Sequence, residues 1–142
     1  MFKLLIAIDG SEPSLRAIDA VAELAEQSGP ISVVLINVRE RVSPLAELSP
    51  GTKAQVEQAL QRQQDRLVAA ALEQARQRGL AIGSTRRAEG SAAPEIVAAA
   101  AACGAQQIVL GTRGLGAIGS LFIGSVAQRV VQLADVPVLL VK

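Results

Sequence analysis

The chain alternates between short apolar runs and amphipathic helical stretches, and that alternation restricts its fold more than any single motif. Phe2–Ile8 is apolar except for Lys3, and Ile31–Val38, Gln107–Leu110 and Val136–Val141 are rich in Val, Ile and Leu. Leu80–Ala88 is more polar, as suits a strand at a sheet edge. Between the runs lie helical stripes: Ile18, Val21, Ala22 and Ala25; Val56, Leu60, Leu67 and Ala71 within about 53–78; an Ala-rich segment over Ser91–Ala102; and Ile123, Val126, Ala127, Val130 and Val131. Ser11-Glu12-Pro13 reads as a helix start, Gly29-Pro30 and Gly79 as stops, and the stretch 39–52, with Pro44, Pro50 and Gly51, as a loop. The order β-α-β-α-β-α-β-α-β predicts an α/β fold with a five-stranded parallel sheet and helices on both faces, for which the common strand order is 3-2-1-4-5. Such sheets take ligands at the carboxyl ends of their strands, where the order reverses. Here the reversal falls between strands one and four, beside Asp9 and the glycines after Leu110.

Composition narrows the chemistry. The 142 residues suit one domain spanning 1–142. A net charge of +1 and only Phe2 and Phe122 as aromatics argue against a nucleic-acid partner, which calls for a basic face or stacking rings. The chain has no histidine, which removes the commonest general base and zinc ligand. Its one cysteine, Cys103, reads as a buried thiol in an Ala-rich helix. No run is long enough for a membrane span and the opening MFKLLIAIDGS is too short for a secretion signal, so a cytoplasmic protein is expected.

Residues 111–126, GTRGLGAIGSLFIGSV, join an apolar strand to a helix with more glycines than a turn requires. Backbone without side chains at the positive end of a helix suits a phosphate. Gly114-Leu115-Gly116-Ala117-Ile118-Gly119 has the letters of G-x-G-x-x-G, but the only nearby acid, Asp135, precedes the next strand instead of closing it. A P-loop needs a lysine, and none lies between Lys53 and Lys142.

The spacing Gly111-x2-Gly114-x9-Gly124-Ser125 resembles the ATP-binding signature of the universal stress protein family. The opening KLLIAIDGSEPS, the INV of the second strand, EG ahead of Pro94-Glu95-Ile96 and the closing PVLLVK resemble it too. The resemblance implies a Rossmann-like, single-domain protein that binds ATP or another adenine nucleotide, with or without Mg2+. It implies that Ala7 and Asp9 border the adenosine, with Asp9 accepting from a ribose hydroxyl, and that Val38 meets the adenine. It also implies that Gly111, Arg113 and Gly114 form one phosphate segment and Gly124, Ser125 and Val126 the other. A homodimer paired through the C-terminal strand is implied as well, and would cover an apolar edge.

Each residue has a plainer role beside this one. Asp9 could cap the first helix with Ser11. Arg113 could be a surface or dimer residue. Arg39, Arg86 and Arg87 read as solvated, and Phe122 reads as core. The expected function is regulatory nucleotide binding with little or no ATP hydrolysis, since no catalytic set accompanies the loop. The alternatives are a slow ATPase and a dimeric scaffold that binds no nucleotide.

Overall fold

A computed structural model describes residues 1–41, 47–113 and 122–142. Five parallel strands, β1 (Phe2–Ala7), β2 (Ile31–Arg39), β3 (Ile82–Glu89), β4 (Gln107–Gly111) and β5 (Val138–Val141), lie in the order β3-β2-β1-β4-β5. This is the predicted doubly wound sheet. Helices α1 (Glu12–Ser28) and α2 (Pro50–Gln77) cover one face, and α3 (Ala92–Cys103) and α4 (Ser125–Leu133) the other.

The central strands are apolar throughout because both of their faces are buried. Leu4 and Ile6 pack with Ile18 and Val21 of α1 and Val68 of α2, while Leu5 packs on the opposite face with Ile96 of α3 and Val130 of α4. The polar β3 has no fully buried residue, as its edge position predicts.

Local chemistry sets the ends of the helices. Ser11 caps α1 and Pro13 sits in its first turn; Gly29, with φ 91°, ends it. The expected loop over 39–52 is shorter at both ends. Strand β2 runs through Arg39, and Ser49 with Pro50 opens α2 instead of breaking it, because the first turn needs no proline N–H. Pro44 lies outside the described residues. Strand β3 starts two residues later than expected, Leu80 being held in the turn by its N–H to the Ala75 carbonyl.

Helix α2 departs most from its predicted stripe. Its fully buried residues are Gln64, Val68, Ala71 and Ala75, whereas Val56, Leu60 and Leu67 are only half-buried. Its N-terminal turns therefore run past the sheet and overhang the carboxyl ends of the strands. In α4, Ala127 and Val130 are buried, but Val131 is exposed and Ile123 lies outside the helix, also exposed. Cys103 is half-buried, its thiol against the Ala100 carbonyl at 3.5 Å.

Candidate nucleotide site

At the carboxyl edge of the sheet, where β1 and β4 part, lies a cavity of about 710 Å3. Ala7, Asp9 and Val38 line it, as do Gly111, Arg113, Gly124, Ser125 and Val126. The sequence-selected residues that are described thus surround one hollow. Gly114 and most of the intervening loop lie outside the described residues.

Asp9 leaves β1 through a tight polar turn. Its Oδ1 accepts from the Ser11 N–H at 2.9 Å and from the Ser11 hydroxyl, and its own N–H reaches Ser14 Oγ at 3.3 Å. Ser11, not Asp9, caps α1, and Asp9 orients that cap. The second carboxylate oxygen makes none of these bonds, so capping and a ligand role are compatible at this residue.

Val38 offers main chain as well as a side chain. The Arg39 carbonyl accepts from the Gly90 N–H at 2.9 Å, so the backbone of Arg39 faces β3. By strand alternation the N–H and C=O of Val38 face the other way, along the line of β1. The β1–β2 ladder ends with Ile8 N–H to the Ile36 carbonyl at 2.9 Å, before it reaches Val38. Asn37 Nδ2 holds the Ile8 carbonyl at 2.7 Å and fixes the strand end at that point. The edge of Val38 opens into the cavity.

The glycines of the loop do different work from what their lack of side chains suggests. A Cβ on Gly111 would lie 2.7 Å from Pro13 Cβ and 3.0 Å from the Ser14 nitrogen. The bare backbone there admits the first turn of α1. Gly124 is the N-cap of α4, and its N–H is already bonded to the Thr112 carbonyl at 2.6 Å. That bond closes the base of the loop, so the Gly124 amide is not available to a phosphate, contrary to expectation. The open donors begin one residue later. The N-terminus of α4 has no side-chain cap, and Ser125 and Val126 precede the first residue, Gln128, whose N–H closes a helical bond, to the Gly124 carbonyl at 3.0 Å. The Arg113 carbonyl accepts from Ser11 Oγ at 3.4 Å, which draws the first loop segment to the start of α1.

Three features run against the sequence reading or beyond it. Phe122, expected in the core, is 72% exposed and lines the cavity, because it belongs to the loop ahead of α4 and not to the helix stripe. Arg39, expected in solvent, also lines it. Its guanidinium binds Glu89 at 2.9 Å, Arg41 shares that carboxylate at 3.6 Å, and Arg39 Nε is buried without a partner among the described residues. Arg87 pairs with Asp65 at 2.7 Å, and Arg86 is exposed as expected. Buried Gln64 donates through Nε2 to the Asn37 and Ala88 carbonyls at 3.2 and 3.1 Å, a role that a glutamine in a polar helix gives no sign of in sequence. Among the described residues no group of three or more His, Cys, Asp or Glu converges, and no helix is long and apolar enough to cross a membrane.

The profile of the universal stress protein family matches residues 1–142. A universal stress protein of Thermus aquaticus, named for its place beside a QAH/OAS sulfhydrylase, is 37% identical over the full length of both chains. The universal stress protein YxiE of Bacillus subtilis is 32% identical over 99% of this chain and 98% of its own. A family member from Burkholderia pseudomallei has a crystal structure of TM-score 0.72, 27% identical, with 98% of this chain and 94% of that one covered. A protein of the family from Arabidopsis thaliana with AMP bound superposes with TM-score 0.71 at 18% identity, over 100% of this chain and 92% of that one. With the family profile matching the whole chain and relatives at 37% and 32% identity spanning it from end to end, this chain belongs to the universal stress protein family.

Proposed function

We propose that this protein is an adenine-nucleotide-binding regulator with little or no capacity to hydrolyse ATP. The observation that carries the reading is the cavity at the point where the strand order reverses. There an acidic residue (Asp9), an open strand edge (Val38) and an uncapped helix N-terminus (Ser125, Val126) face one hollow. Its volume of about 710 Å3 falls within the range of small-molecule sites.

The residues fit the parts of such a ligand. The amides at the start of α4 and the Ser125 hydroxyl suit phosphate oxygens, which the helix dipole favours. Asp9 keeps one carboxylate oxygen for a ribose hydroxyl. The main chain of Val38 supplies one donor and one acceptor, the pattern that the N1 and N6 edge of adenine complements. Arg113 and Gly114 complete the phosphate side in this reading, and Ala7 and Gly111 its floor. The protein of the same fold with AMP bound supports the ligand class. An accompanying Mg2+ would depend chiefly on phosphate oxygens, since Asp9 and Glu40 are the carboxylates among the described lining residues.

A chemical step lacks parts. There is no histidine in the chain to act as base and no converging acid cluster among the described residues. Binding itself is the activity in this reading, and it feeds a stress-related regulatory role. Calorimetry with ATP on protein stripped of carried-over nucleotide tests it. Saturable binding, weakened at least about tenfold by Gly124→Val, is expected. Gly124 lines the cavity, and its φ of −63° is one that valine can adopt. Absence of binding by the wild type sinks the proposal.

A further inference from the structure

Helix α2 carries an apolar surface that no core claims. Leu60 and Leu67 belong to neither core cluster, yet both line the cavity. They flank Gln64 at i−4 and i+3, so all three share one face of the helix. Gln64 pins this face in place. Both amino hydrogens have strand-end carbonyls to meet, Asn37 at 3.2 Å and Ala88 at 3.1 Å, which fixes α2 against β2 and β3. Leu67 pins it a second time. It lies so close to Gly10, where φ is +83°, that a Cβ there would fall 2.1 Å from Leu67 Cδ2. One turn ahead of Gln64, Leu60 lines the hollow, half-buried.

We propose that this face of α2 is one wall of a purine slot, with Leu60 seated on the ring. The inference rests on the nucleotide reading above and adds its second contact surface. A planar base that bonds the open edge of Val38 continues the sheet in the direction β1 would have taken. It then lies near the sheet plane, with one ring face toward each helix layer. On the α3–α4 side it meets Ile96 and Val126, which line the cavity. On the α1–α2 side the available apolar surface is Leu60, since Val68 and Ala71 are buried in the core and Leu67 is packed against Gly10. The chain has no Trp or Tyr, and the aromatic among the described lining residues, Phe122, belongs to the loop ahead of α4, so beside Val38 the surface offered to each ring face is aliphatic. The overhang of α2 past the sheet, which adds nothing to either core, acquires a role as that wall.

The test compares wild type, Leu60→Ala and Leu60→Asp by calorimetry with AMP, ATP and inorganic tripolyphosphate, which has no base. Because Leu60 lies outside both cores, the variants should keep the wild-type circular dichroism and melting curve. AMP and ATP should bind roughly threefold more weakly to Leu60→Ala and tenfold or more weakly to Leu60→Asp, with tripolyphosphate unchanged. Wild-type affinity for AMP in both variants overturns the wall while leaving nucleotide binding standing. An equal loss for tripolyphosphate also overturns it, since the contact would then not be with the base. A change of oligomeric state with nucleotide affinity intact assigns the face to a second copy and overturns it as well. Failure of the wild type to bind any adenine nucleotide removes the parent reading and this one together. Should Leu60→Asp unfold, Leu60→Ala decides alone.

Discussion

Asp9 and Gly111 face each other across the same crevice but answer to different forces. Asp9 orients the cap of α1 with one oxygen and has the other left over. Asn at this position can still accept from the Ser11 N–H, so Asp9→Asn should leave thermal stability nearly intact. It should weaken ATP by about tenfold or more, the worth of a charge-assisted hydrogen bond, when both are measured on the same preparation. Gly111 behaves in the opposite way. Its substitution by Ala drives a methyl group into Pro13, whose carbonyl carbon lies 2.9 Å from the Cβ position. Overpacking of this kind costs about 1–3 kcal/mol, so Gly111→Ala should melt several degrees lower even without ligand. An unchanged melting temperature would show that α1 yields to the added group. Asp9 was legible in the sequence as a polar residue ending a buried strand. The steric duty of Gly111 was not, because Pro13 is nearly a hundred positions away in the chain and meets it only in the folded state.

At the scale of elements, α2 is two helices in one. Its C-terminal half is docked by Gln64, Val68, Ala71 and Ala75, and by Arg78 and Gln74 reaching Asp19 of α1 at 2.8 and 2.7 Å. Its N-terminal half is solvated apart from the face turned to the cavity. Periodicity alone could not separate the halves, since Val56 and Leu60 repeat in helical register whether a core or a ligand lies beneath them. Near its end, Arg76 donates two hydrogen bonds to Glu73, at 2.8 and 2.6 Å, and Gln77 adds a third. These hold the Glu73 carboxyl at about 2, well under its usual 4.5. A depressed acid contributes stability that is fully present above the ordinary value and is lost as pH falls through the folded one. Helix stability from this group should therefore decline only between about pH 4.5 and 2. The pair lies on the surface, so the effect should shrink with added salt. A carboxyl NMR titration of Glu73 with an ordinary midpoint would contradict the assigned pairing.

The whole molecule ends in β5, which pairs with β4 on one side and with no described strand on the other. Thr112 N–H bonds the Val141 carbonyl and Ile108 N–H the Pro137 carbonyl, so alternate residues of β5 face inward. The backbone of Leu140 then faces outward. We expect a second copy to pair there, giving a two-fold dimer. Leu140→Pro removes an outward donor without touching the inward ladder, and light scattering should report its monomer against a wild-type dimer. A monomeric wild type would refute the pairing. Ligand binding should also stabilise the whole domain by about 2.7 kcal/mol at a hundred times Kd, visible as a rise in melting temperature with ATP.

The sequence by itself determined the layered sheet, its strand order and the crevice between the first and fourth strands. The layers follow from apolar periodicity and the handedness of crossovers, which are local or nearly local rules, and the order and its crevice from the arrangement common to five-stranded sheets of this kind. Asp9 and Ser125 could also be picked out, as polar residues at the end of a buried strand and the start of a helix, whereas Val38 and Val126 were selected only through the resemblance to a known family. Tertiary structure alone decided which groups are spent and which remain open. Gly124 bonds its amide to Thr112, Gln64 gives its own to two strand ends, Arg39 turns to Glu89, and Phe122 stands outside the core. Each of those outcomes depends on a partner distant in sequence, and hydrogen-bond satisfaction and packing are settled only when the partners meet.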